Sequence, residues 1–93
     1  MSDDLKEHIN QAAQALVAVG ATEVYIFGST ATGEMRVGSD VDMAVSGLPP
    51  ETFFRAMGIA EDILQRPLDL IDLDEENLFT AYLRRQGNLL RVA

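Results

Sequence analysis

The stretch Gly28–Val45, GSTATGEMRVGSDVDMAV, governs how the whole chain is read. It sets a glycine-serine turn, a further glycine, a serine and two aspartates separated by one residue between two apolar runs. Upstream, EVYIFG (23–28) packs β-branched and aromatic residues into a short run ended by glycine, the pattern of a strand buried on both faces. Downstream, DVDMAVSG (40–47) alternates Val41, Met43 and Val45 with Asp40, Asp42 and Ala44, so it reads as a second strand with a loop from Gly28 to Ser39 before it.

Working outward, Leu5, Ile9, Ala12, Ala13, Leu16 and Val17 recur at helical spacing. They predict a helix from Asp4 to Val19, with Asp4 and Glu7 as a capping box and Gly20 as its stop. After the prolines at 49 and 50, Phe53, Met57, Ala60 and Leu64 form one helical stripe, with Pro50 in the first turn and Pro67 preventing continuation. LDLID (68–72) is a third strand. The tail from Leu73 to Gly87 predicts a third helix with Leu78, Ala81 and Tyr82 on one side and arginines in its last turn, and residues 88–92 add a short edge strand. Residues 1–93 are thus expected to form one α/β (α+β) domain, a small mixed sheet flanked by helices.

Composition narrows the classes of function. Nearly half the residues are apolar and about a quarter charged, the balance of a folded domain. The absence of cysteine excludes disulfides, zinc–thiolate sites and thiol nucleophiles. No apolar run approaches the ~20 residues of a membrane span, and the acidic start MSDDLKEHIN lacks the basic region of an export signal, so a cytoplasmic protein is expected. A formal charge of −8 opposes direct binding to nucleic acid and favours a metal ion or a basic partner.

Within the motif, Gly28 and Ser29 stand where a strand ends and the chain turns, a place where backbone N–H groups and a hydroxyl can cradle phosphate oxygens. Asp40 and Asp42 are two apart and project from one face of the strand, where their mutual repulsion calls for a cation. Hard carboxylate oxygens of this kind suit Mg²⁺ or Mn²⁺. Asp69 sits in an otherwise apolar strand, where a lone buried carboxylate is costly and a shared metal would partner it. Asp72 and Asp74 compete for that role, but each reads more simply as a cap for the last helix, with Glu75 completing a box. His8, the single histidine, reads as a surface residue of the first helix.

Each of these signals alone is common in turns and at solvated strand ends; their combination is not. Gly28, Ser29, Gly33, Ser39, Asp40, Asp42 and Asp69 together resemble the nucleotidyltransferase superfamily with the DNA polymerase β-type core, and within it the minimal nucleotidyltransferases (MNT). The resemblance runs from about Glu23 to the C-terminus. It implies a nucleoside triphosphate, most simply ATP, held at its β- and γ-phosphates by Gly28 and Ser29. Asp40, Asp42 and Asp69 would bind two divalent ions, and Asp69 would help to activate the attacking hydroxyl. Family members often carry arginines after the Gly-Ser where this chain has Thr30 and Thr32; Arg36 lies nearby and is the candidate replacement. Family context implies a HEPN-domain ribonuclease toxin as partner, silenced by adenylylation of a tyrosine. A non-catalytic antitoxin that masks a basic partner by forming a complex is the alternative, since an acidic surface suffices for that. A small-molecule transferase is disfavoured, because this length leaves no room for an acceptor domain.

Overall fold

The computed structural model describes residues 2–36 and 38–93. Helix α1 (Asp3–Ala18) is followed by strand β1 (Glu23–Ile26), a short helix α2 (Gly28–Thr32), strand β2 (Val41–Ser46), helix α3 (Pro50–Leu64), strand β3 (Leu68–Asp72), helix α4 (Leu78–Gln86) and strand β4 (Leu90–Arg91). The four strands form one mixed sheet in the order β3-β2-β1-β4. β1 is antiparallel to β2 and β4, and β2 is parallel to β3. A parallel pair needs a long crossover, which α3 supplies. The α/β expectation and the edge strand near residues 88–92 are both borne out.

One face of the sheet is closed by α1 and α3. Leu5, Ile9 and Leu16 of α1 and Leu64 of α3 pack on Val24, Val41, Met43, Val45 and Leu70. Ala12, Ala13, Ala56 and Ala60 are fully buried, so the two helices meet across small side chains. α1 starts one residue earlier than expected: Ser2 is its cap, its Oγ accepting the N–H of Leu5 at 3.2 Å, in place of the Asp4–Glu7 box. Gly20 ends it as expected, in a positive-φ conformation (125°) that favours glycine.

The opposite face is only half covered, which corrects the expectation that β1 is buried on both sides. Val24 and Ile26 are buried, whereas Glu23 and Tyr25 on the second face keep partial exposure. Phe27, Ala44, Leu73 and Leu83 form a small second core there under α4.

α4 also departs from the sequence reading. Its cap is Asn77, in a reciprocal box with Thr80, and the helix begins only at Leu78. Asp72 and Asp74 are committed elsewhere. Asp72 Oδ1 accepts the N–H of Asp74 at 2.9 Å, and the Asp74 carboxylate accepts Ser46 Oγ and the Gly47 N–H, each at 2.6 Å. This draws the chain across the end of β2 before the helix can start. The later start turns Thr80 and Leu83 inward and leaves Leu78, Ala81 and Tyr82 exposed, the reverse of the expected face.

Candidate active site

Gly28–Ser29, Asp42 and Asp69 converge because of strand register. In the parallel β2–β3 ladder, Asp42 pairs with Asp69. Residues of equal parity share a face, so both carboxylates stand on the side away from α1 and α3, beyond the part that α4 covers. Asp42 is half-buried and Asp69 exposed. The premise that Asp69 lies in a dry strand interior is therefore wrong: β3 is an edge strand, and this end of the open face is wet. Its placement opposite Asp42 holds for a different reason, the register. Asp40 is exposed, one residue before β2.

Burial, then the negative charges of Asp69 and Asp40, hold the Asp42 carboxyl above its usual range. Three anions thus feel one another across the end of the sheet. Among the described residues no three His, Cys, Asp or Glu side chains are gathered tightly enough to form a ready-made metal cage. The donor set nevertheless fits Mg²⁺ or Mn²⁺, which bind through one or two carboxylates and take further oxygens from water and phosphate.

Gly28 packs directly against this group. Its φ is +57°, and a Cβ at this position would lie 2.8 Å from Asp42 Oδ2. The left-handed φ favours glycine, and an added methyl group would push the Asp42 carboxylate aside. The turn does not stay a loop: residues 28–32 wind into α2, and Gly33 ends the helix at φ 77°. Ser29 and Gly28 line one wall of a cleft of about 450 Å³ whose other wall is residues 87–90, between α4 and β4. The first N–H groups of a helix have no partner within it, so the Gly28–Ser29 end presents donors beside the carboxylates.

Thr30 is the residue that sequence reasoning missed. It is completely buried, and its Oγ1 accepts the backbone N–H of Asp42 at 2.9 Å. Together with the Phe27 N–H, which donates to Asp42 O at 3.1 Å, it clamps α2 to β2 on either side of the aspartate. At the sequence level Thr30 showed only as a missing arginine; nothing in the pattern marks a buried threonine. Thr32 is exposed, its hydroxyl donating to Ser29 O at 3.3 Å.

Ser39 shapes the loop that leads into the site. Its Oγ accepts the N–H of Arg36 at 2.9 Å, and its own N–H donates to Arg36 O at 3.0 Å. The Arg36 side chain is exposed. A second arginine, Arg66, reaches the same loop, Nη1 donating to Ser39 O at 3.4 Å. It sits just ahead of β3 with no motif to single it out.

Residues 7–91 match the family "Polymerase beta, Nucleotidyltransferase". The chain belongs to this nucleotidyltransferase family. Among solved structures, a protein assigned to the minimal nucleotidyltransferases superposes with a TM-score of 0.76 at 22% identity, over 92% of this chain and 90% of the other. A toxin–antitoxin structure with AMP-PNP gives 0.72 at 19%, over 90% and 72%. A complex of a tri-AMPylated HEPN toxin with an MNT antitoxin, from Shewanella oneidensis, gives 0.69 at 19%, over 96% and 71%. At these identities the structures establish the fold, a four-stranded mixed sheet with helices as in the minimal nucleotidyltransferases. No curated protein matches the chain. No helix among the described residues is long and apolar enough to cross a membrane.

Proposed function

We propose that residues 1–93 work as one metal-dependent nucleotidyltransferase domain that moves AMP from ATP to a protein hydroxyl, a tyrosine of a HEPN toxin, and so acts as an antitoxin. The observation that carries this reading is the Asp42–Asp69 register with Gly28 closed against Asp42. Relatives of this fold include a toxin–antitoxin structure with an ATP analogue and one with an AMPylated HEPN toxin.

In this scheme Gly28 and Ser29 hold the β- and γ-phosphates, while Gly33 and Ser39 fix the two ends of the segment that surrounds them. Arg36 adds positive charge toward the triphosphate. Asp40, Asp42 and Asp69 would hold Mg²⁺ or Mn²⁺. Such ions, when bound, stabilise charge on the attacking and leaving oxygens of an in-line displacement. The acceptor oxygen forms a bond to the α-phosphorus, the bond from that phosphorus to the bridging oxygen breaks, and pyrophosphate leaves. Asp69, exposed at the sheet edge, would take the hydroxyl proton on a carboxylate oxygen.

ATP labelled at the α-phosphate tests this. Label should pass to the HEPN protein with the wild type and not with Asp40→Asn/Asp42→Asn, and label at the γ-phosphate should never do so. A partner labelled from the γ-phosphate would make the chain a kinase instead. The formal charge of −8 favours a second reading, stoichiometric masking of a basic partner. In that case the double asparagine variant neutralises the toxin as well as the wild type does.

A further inference from the structure

A groove of about 310 Å³ runs along the outer edge of β3, between the start of α3 and the start of α4. Phe53, Phe54, Ile71 and Phe79 line it, with Asp72 and Glu75 among its polar wall. Phe54 is 79% exposed although it lies on an amphipathic helix, and its ring stands edge-on to Phe53 with centroids 5.7 Å apart. Next to the groove Leu78 is 91% exposed. Side chains of this size left in water beside a concave surface mark a contact site.

We propose that this groove docks the acceptor protein, through a segment with an apolar anchor side chain flanked by lysine or arginine. The inference rests on the transfer reading above and adds where the acceptor sits and what it must look like. Two observations choose the occupant. The described lining residues include the carboxylates of Asp72 and Glu75 and no basic side chain, so the rim calls for positive charge. A second copy of this chain, itself at −8, would bring more carboxylates to the same rim. Position supplies the rest: Ile71 shares its strand face with Asp69, about 7 Å along β3 at the usual strand rise. A segment anchored on Phe54 and Ile71 therefore holds a neighbouring hydroxyl within reach of the carboxylates.

The test uses this chain and a HEPN-domain protein as the acceptor. Phe54→Ala removes an exposed ring and leaves the core intact. It should weaken the complex roughly tenfold or more, as truncation of a central aromatic anchor does. Asp72→Asn/Glu75→Gln should weaken it less and flatten its salt dependence. Both variants should bind AMP-PNP as the wild type does and lose label transfer at low partner concentration. Complexes and labelling unchanged in both variants would overturn the proposal. So would a wild type with no affinity for that protein, or self-association that Phe54→Ala abolishes. Phe54-dependent docking by a chain that binds no AMP-PNP would uphold the groove and sink the transfer reading.

Discussion

Gly28 touches the candidate site through an absence, since a single methyl group there meets Asp42 Oδ2 at 2.8 Å in a left-handed conformation. Gly28→Ala should destabilise the fold by about 1–2 kcal/mol from backbone strain alone, measurable by urea unfolding, and lower transfer further by displacing Asp42. Thr30 makes a complementary case. Thr30→Val keeps the shape but leaves the partly buried Asp42 N–H without its acceptor, so a loss of about 1–3 kcal/mol is expected. Thr30→Ser, which restores the oxygen, should recover most of it. Asp42 carries the opposite sign. Its carboxyl is raised in the folded protein, so the folded state binds the proton more tightly than the unfolded chain. Stability from this group is therefore greatest at low pH and is lost as pH rises from the ordinary carboxylate range through the raised value. Asp42→Asn should accordingly raise Tm at pH 7 while abolishing transfer, and the gain in Tm should shrink as the pH falls below the carboxylate range.

At the scale of elements, what the sequence reveals depends on how local the cause is. α1, α3 and β2 repeat their apolar residues at one clear period and are read correctly to within a residue or two. α2 is not foreseen, because GSTAT has no apolar period and Ala31 is its one strong helix former; Thr30 and Phe27 bond it to Asp42. α4 is found but turned the wrong way. A run with five side chains able to accept a helix-end N–H, Asp72, Asp74, Glu75, Glu76 and Asn77, does not show which becomes the cap until the Ser46–Asp74 contact removes one of them. The candidate site behaves alike: Asp40 and Asp42 are legible from a two-residue spacing, whereas the apolar neighbours of Asp69 suggest a burial it does not have, and strand register sets it opposite Asp42. Asn77→Ala tests the cap directly. It should cost about 1 kcal/mol, and hydrogen exchange should quicken first in residues 78–86, of which Thr80 and Leu83 are the buried ones.

The whole molecule reads as a rigid two-helix support on one face of a sheet and a partly open, acidic working face on the other. The negative charges of Asp69 and Asp40 act on the Asp42 carboxyl at the end of that face, and the chain carries −8 overall. The arrangement is electrostatically unfavourable by itself, and the proposed function assigns it to cations, a triphosphate and a basic partner. Intact-mass spectrometry of the HEPN partner, after incubation with ATP, Mg²⁺ and either wild-type chain or Asp40→Asn/Asp42→Asn, addresses this most directly. Whole AMP increments with the wild type, mapped to a tyrosine by fragmentation, and none with the variant are the predicted result. A partner silenced by both proteins with its mass unchanged would contradict it.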